Sequence, residues 1–346
     1  MNRNSSPGAP GQIAPRVLVL ARRVFPDLLD PLRARFDLVE DDAGEPGSLR
    51  EQALTADALL ADAAQPVDAQ LVANAPRLRV VSNIAVGHNN VDVAACTRAG
   101  ILVTNTPGVL TEATADHAFA LLLAAARRVG ESERWLRAGH WRGFALDSFL
   151  GADVHGATLG ILGMGRIGAA IALRARGFSM QVLHHNRSGP RADSAAVSTW
   201  VEKDELLSRS DFVVLVVPYS AQTHHLLGAA EFVRMKRGAI LVNIARGGVI
   251  DDAALVRALR EGPLAAAALD VMEGEPLVHP GLLAAENVVL TPHIGSATTT
   301  ARRAMVSLAL RNLESALAGE RPPFLVNPEA WPGRCAAAPF RSLPPS

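Results

Sequence analysis

Cysteine is nearly absent: the 346 residues hold two, Cys96 and Cys335. Two thiols cannot build a disulfide framework or a cysteine metal cluster, and they suit a reducing, cytoplasmic setting. Net charge is absent too. Thirty-four Lys and Arg balance 34 Asp and Glu, which leaves no electrostatic footprint for nucleic acid or an anionic membrane. Long apolar runs are missing as well. The longest strongly apolar stretch, residues 118–126, is flanked by Asp116-His117 and Arg127-Arg128. That is far short of the roughly 20 residues that span a bilayer, so it reads as a buried helix segment. The opening MNRNSSPGAPGQIAP has no apolar h-region and is not a secretory signal. Its Pro, Gly, Ser and Asn content predicts a disordered tail over residues 1–15.

What remains is a chain long enough for two domains with real cores. With 49% hydrophobic and 20% charged residues it has the balance of a soluble α/β protein. Its organising stretch is TLGILGMGRIGAAIALRARGF, residues 158–178. The pattern predicts a buried strand, a glycine turn and an apolar-faced helix. Gly163 suits the tight turn, Gly165 lets the main chain approach a pyrophosphate, and Gly168 lets the helix pack on the strand. The helix start offers N–H groups and a positive dipole end to phosphates.

Strand-like and helix-like stretches alternate before this point: strands at 16–21, 58–61, 78–84 and 101–104, helices at 28–36, 67–74 and 91–99. After a long helical pattern from about 110 to 138, further strands are expected at 180–185, 211–218, 239–244, 265–271 and 287–291. Strands alternating with helices imply βαβ units and parallel sheets. The fold class is therefore α/β, with two doubly wound parallel-sheet (Rossmann-like) domains and an active-site cleft between them. The last amphipathic helix, about 298–317, has no place in the second sheet, so it should return to the first block. The expected division is 16–108 plus 297–328 for substrate and 109–296 for a dinucleotide, with a tail over 329–346.

A strand ending in an acid about 20 residues after the glycine turn would bind the ribose 2′-OH of NAD. Here the strand runs into His184-His185-Asn186-Arg187-Ser188. A carboxylate repels a 2′-phosphate and a guanidinium binds it. NADP(H) is therefore expected over NAD(H), which remains possible.

Three later residues sit where strands end, the usual place for ligands in open α/β sheets. Arg246 follows AILVNIA, Glu275 lies in EGEP after LDV, and His293 lies in TPHIGS after NVVL. Alone, each has a plainer reading: a solvated arginine, a loop acid, a structural histidine. Together they supply a cationic anchor for a carboxylate, a proton-carrying imidazole and an acid to orient it.

The chain resembles the D-2-hydroxyacid dehydrogenase family from about residue 16 to 328. The matching elements are VGHNNVD (86–92), TPGVLTEATAD (106–116), GADVHGATLGILGMGRIG (151–168), VLHHNRS (182–188), NIARGGVID (243–251), ALDVMEGEP (268–276) and TPHIGSAT (291–298). It is most similar to the glyoxylate/hydroxypyruvate reductase and 2-ketogluconate reductase branch, and its HNRS element to NADPH-preferring members. The resemblance implies that Arg246 holds the substrate carboxylate and carbonyl. It makes His293 the general acid in reduction, paired with Glu275. It implies that Val86 and Gly87 offer backbone N–H groups to the substrate carboxylate. Gly163, Gly165, Arg166, Ile167 and Gly168 would line the pyrophosphate, and Asn186, Arg187 and Ser188 the 2′-phosphate. Pro218 would flank the adenosine, Asp270 would bond the nicotinamide carboxamide, and Thr114 and Ala245 would complete the coenzyme site. His88 and Met272 stand where relatives often carry aromatics. The implied partner is a small 2-oxo or 2-hydroxy acid, with no nucleic acid and no membrane. A homodimer is implied through the helix at 110–138, with Trp141 similarly placed to a family tryptophan at the subunit contact. A dinucleotide-sensing regulator of the same fold and a phosphoglycerate dehydrogenase are the alternatives.

Overall fold

The structure, a computed structural model, describes residues 14–21, 24–40, 48–190 and 197–331. Residues 1–13 of the tail expected over 1–15, and 332–346 of the one expected over 329–346, with Cys335, lie outside the described residues. The chain divides into two compact units, one within residues 1–109 and 302–346, the other Leu110–Ala301.

The first unit runs β1 (Arg16–Val19), α1 (Pro26–Arg33), β2 (Asp37–Glu40), α2 (Ser48–Ala53), β3 (Ala58–Asp62), α3 (Ala69–Ala73), β4 (Val80–Ile84), α4 (Val93–Arg98) and β5 (Leu102–Thr104). Its sheet has the order β2-β1-β3-β4-β5, and all pairs are parallel. β3 and β4 are buried on both faces, which is why they read as continuous apolar runs. Two helices start on aspartate caps: Asp68 accepts the Leu71 N–H at 2.7 Å and Asp92 the Ala95 N–H at 2.8 Å.

The second unit runs α5 (Thr111–Ala126), α6 (Val129–Arg137), β6 (Thr158–Leu162), α7 (Arg166–Ala175), β7 (Gln181–His185), β8 (Thr199–Trp200), α8 (Lys203–Arg209), β9 (Phe212–Leu215), α9 (Ala229–Arg234), β10 (Ile240–Asn243), α10 (Asp252–Arg260), β11 (Ala266–Leu269), α11 (Pro280–Leu283) and β12 (Val288–Leu290). The seven-stranded parallel sheet is ordered β12-β11-β10-β9-β6-β7-β8. Strand order reverses between β6 and β9, the crevice where doubly wound sheets take ligands. Alternate residues feed opposite faces: Val213 and Leu241 join one apolar cluster, Phe212, Val214, Ile240 and Val242 the other. Each fully buried Leu or Ile is worth about 1.5–3 kcal/mol over exposure, so the sheet is anchored from both sides.

The helix expected over 110–138 is two helices. Arg128 takes a left-handed φ of 50° at the start of α6. The Ala126 carbonyl, which a continuous helix would use, accepts the Ala152 N–H at 2.9 Å instead. The Arg128 guanidinium closes on Glu131 at 2.6 and 2.8 Å.

The last helix, α12 (Thr299–Leu317), packs with the first unit from residue 302 onward. The Ser82 hydroxyl donates to the Ala309 carbonyl at 2.7 Å, and Asn312 Nδ2 to the Asn105 carbonyl at 2.9 Å. Beyond it the chain is tied to β5. Buried Asn327 accepts the Val103 N–H at 2.8 Å and donates to the Ile101 carbonyl at 2.9 Å.

Two glycine contacts set the turn after β6. A Cβ on Gly168 would stand 2.4 Å from the Gly163 carbonyl oxygen, and one on Gly163 2.9 Å from the Val216 carbonyl. Gly163 also holds φ +105°. The turn is thus pressed between the start of α7 and the segment after β9, as only glycine permits.

At the first position of α10, Asp252 is 4% exposed and accepts the Glu273 N–H at 3.1 Å. Burial pushes its carboxyl up from 3.8 to about 6. The nearby Glu273 and Asp251 charges add to this, while the Glu273 N–H and His279 oppose it. A raised carboxyl leaves stability intact below the unfolded value and removes it as pH climbs through the folded one. At 1.36 kcal/mol per unit, a shift of roughly two units makes ionised Asp252 a burden of about 3 kcal/mol at neutral pH. Asn at this position keeps the acceptor without the charge. Urea denaturation across pH should show Asp252→Asn gaining nothing near pH 4 and up to about 3 kcal/mol by pH 7; a pH-independent difference would contradict this.

Candidate active site

Asp270 follows β11 and is 2% exposed. Its Oδ1 accepts the Thr291 hydroxyl at 2.6 Å and the Ile294 N–H at 2.8 Å, and its Oδ2 the Gly295 N–H at 2.7 Å. His117 Nε2 stands 3.2 Å from both Asp270 Oδ1 and the Thr291 hydroxyl. The Asp270 carbonyl also accepts the His293 N–H at 2.8 Å. This clamp holds the turn after β12 in one shape. His293 itself sits at φ +53°, left-handed for a non-glycine residue. Such backbone costs on the order of 1–3 kcal/mol and persists where its surroundings dictate it.

The strained turn aims His293 Nδ1 at Glu275 Oε2, 2.9 Å away. The other oxygen, Oε1, accepts the Met272 N–H at 3.0 Å. Burial pushes the Glu275 carboxyl up. The hydrogen bond and charge of His293, the Met272 N–H and the Arg246 charge outweigh it, and Glu275 lies below its ordinary value. Glu275 therefore stays ionised through neutral pH, where it orients the imidazole.

Arg246 comes from the loop after β10. Burial lowers its guanidinium pKa, and the Glu275 charge partly restores it. The loop is folded back on itself: Arg246 Nη1 donates to the Ala245 carbonyl at 2.7 Å, and Asn243 Nδ2 to the Arg246 carbonyl at 3.0 Å. Gly247 lies so close to the other loop that a Cβ would fall 1.9 Å from the Met272 carbonyl oxygen. Only glycine allows that approach, and it brings the Arg246 loop against the turn bearing Glu275. Arg246, Glu275 and His293 thus share one neighbourhood, with Glu275 acting on both of the others. A desolvated guanidinium beside an imidazole can hold a carboxylate and exchange a proton with an adjacent oxygen.

The glycine turn lies at the same ends of the strands. Gly165 is exposed, caps α7 with no side chain of its own, and a Cβ there would meet nothing within 4 Å. That open helix start fits a phosphate. Arg166 is exposed beside it, Ile167 half-buried and Gly168 buried. Asn186 Oδ1 accepts the Met164 N–H at 2.7 Å, so this side chain braces the turn, while Arg187 and Ser188 are exposed. Pro218 is exposed after β9 and its carbonyl accepts the Thr223 hydroxyl at 2.7 Å. Ala245 is buried, its N–H on Asn243 Oδ1 at 3.0 Å. Thr114 is buried near Gly295, whose added Cβ would lie 3.6 Å from the Thr114 methyl. Val86 and Gly87 belong to the first unit, where their carbonyls accept Asn105 Nδ2 at 2.8 Å and Asn83 Nδ2 at 3.0 Å.

Sequence reasoning missed His117 and Thr291. One signal was there: Thr114 and His117 are three apart on a helix and so share a face. No helix among the described residues is long and apolar enough to cross a membrane. Cys96 is buried, with its thiol pushed up to about 12, first by burial and then by the Asp92 charge, so it is inert.

Comparison with known proteins gives this arrangement its context. Residues 119–295 match the model described as D-isomer specific 2-hydroxyacid dehydrogenase, NAD binding domain. A glyoxylate reductase of Thermococcus onnurineus (strain NA1) is 47% identical over 323 residues, 91% of this chain and 96% of that one. The crystal structure of a glyoxylate reductase from Paecilomyes thermophila is similar with a TM-score of 0.84 at 34% identity, covering 92% of this chain and 100% of that one. An NADPH-dependent glyoxylate/hydroxypyruvate reductase from Sinorhizobium meliloti, solved with NADP and malonate, gives 0.80 at 33% identity over 96% of this chain and 100% of that one. With half of its length matched by the family model, and relatives this alike over nearly all of it, the chain belongs to the D-isomer specific 2-hydroxyacid dehydrogenase family.

Proposed function

We propose that this protein reduces small 2-oxo acids to D-2-hydroxy acids, with glyoxylate its first substrate and hydroxypyruvate and 2-ketogluconate-like acids following, and that NADPH is preferred to NADH. The observation that carries the reading is the 2.9 Å pairing of His293 with Glu275, beside a desolvated Arg246 that feels the same carboxylate. The glyoxylate reductases among the relatives support the substrate class.

Arg246 takes the substrate carboxylate in a charge-assisted fork, which fixes the keto group against His293. Glu275 holds Nδ1, and Nε2 is the ring atom that gives a proton to the keto oxygen. A nicotinamide dinucleotide, when bound, supplies the hydride. Gly163, Gly165, Arg166, Ile167 and Gly168 would hold its pyrophosphate, Pro218 its adenosine, and Thr114, Ala245 and Asp270 its nicotinamide end.

At 186–188 the chain offers Asn, Arg and Ser, with no carboxylate to repel a 2′-phosphate. The Sinorhizobium meliloti neighbour, solved with NADP, supports the same coenzyme.

The exposed segment after α6 supports a homodimer. Trp141 is 60% exposed, Phe144 87% and Leu146 86%, three exposed large apolar side chains within six residues of the kind that mark an interface. A second copy of the chain would cover them.

Three measurements check these readings. His293→Ala should lose about 10²–10⁴ in kcat for glyoxylate reduction while binding coenzyme normally; near-native turnover would refute the role of His293. The kcat/KM ratio should favour NADPH and move toward NADH in Arg187→Ala; an NADH preference in the wild type would refute the coenzyme assignment. Light scattering after size exclusion should give twice the 36.5 kDa chain mass; a monomer at micromolar concentration would refute the dimer.

A further inference from the structure

His224, His225 and Glu273 lie outside the catalytic group and have no part in the reaction described above. One donor atom from each falls within 4.8 Å of the other two, the one such grouping among the described residues. His225 Nε2 is 2.8 Å from Glu273 Oε1. The two imidazoles stack with centroids 3.9 Å apart and planes 23° from parallel.

Each of the three is held from behind. The Tyr219 hydroxyl meets His224 Nδ1 at 3.1 Å, which fixes that ring and leaves Nε2 as its ligand atom. Tyr219 is itself seated on Gly248, where a Cβ would lie 2.7 Å from its ring. The His225 N–H donates to the Gly248 carbonyl at 2.9 Å, and its backbone takes a left-handed φ of 48°. The Glu273 N–H is fixed on Asp252 at 3.1 Å. All three side chains are exposed, and the supports behind them are what set them apart from an incidental surface cluster.

We propose that His224, His225 and Glu273 bind one divalent transition cation of the zinc or nickel class. Two imidazoles and a carboxylate suit such borderline ions, whereas calcium and magnesium take oxygen ligands. Ligands at about 2.0–2.2 Å around one ion stand up to roughly 4 Å apart, so small side-chain rotations close the site, with water completing the shell. The cation would tie the segment after β9 to the turn that carries Glu275, two residues beyond Glu273.

The test needs neither substrate nor coenzyme, so its failure would leave the proposed reaction standing. Tag-free protein, stripped with EDTA, is titrated with Zn²⁺ against a chromogenic chelator. Wild type should take one equivalent, and His224→Gln, His225→Ala and Glu273→Gln should each weaken binding at least about tenfold, the scale on which even a ligand's support matters. Zn²⁺ should also raise the melting temperature of the wild type and leave the three variants unmoved. Melting curves without zinc, matching wild type, show that the variants are folded. Absence of zinc uptake by wild type would overturn the proposal. So would variants that bind as tightly as wild type, since the metal would then sit elsewhere.

Discussion

One buried carboxylate sets the geometry around His293. Asp270 gathers the Thr291 hydroxyl and the Ile294 and Gly295 N–H groups, while its carbonyl takes the His293 N–H. A buried charge is tolerable only when its lone pairs are satisfied. Asp270 meets that demand by fixing the backbone on both sides of His293. The left-handed conformation of His293 is the visible cost of this arrangement, and an imidazole aimed at Glu275 is its product.

The second constraint is a missing side chain. Gly247 lets the loop after β10 approach the Met272 carbonyl more closely than any Cβ permits. Arg246 is thereby brought to the same carboxylate that holds His293. Three side chains from three strand ends meet because one turn is clamped and another is bare. The sheet supplies the rest. Its strand order reverses between β6 and β9, and the glycine turn sits there with an uncapped helix start. The loops bearing Arg246, Glu275 and His293 and the glycine turn all lie at the carboxyl ends of the strands, where loops vary over a rigid core.

Much of this was legible in the residues because apolar runs bounded by Gly, Pro and Asp mark buried parallel strands. β4, β9 and β10 lie inside the stretches expected for them, and β3 runs one residue past its own, to Asp62. β2 and β8 went unread, being short edge strands with partly exposed residues and no apolar run. The break in the helix at 127–128 was invisible for another reason: the carbonyl that releases it is taken by Ala152, 26 residues on. Arg246, Glu275 and His293 could be singled out by their places at strand ends. The roles of His117, Thr291 and Gly247 could not, since each is defined by a neighbour distant in sequence. Asn186 shows the same limit. Its type speaks to the coenzyme, while its bracing of Met164 emerges only in three dimensions.

The central claim is that His293 and Glu275 act as one acid–base unit. A double-mutant cycle on kcat for glyoxylate reduction, with His293→Ala and Glu275→Gln singly and together, measures this directly. The account predicts strong non-additivity: once the imidazole is gone, removing the Glu275 charge costs almost nothing more. Losses that multiply, as for two independent residues, would contradict it.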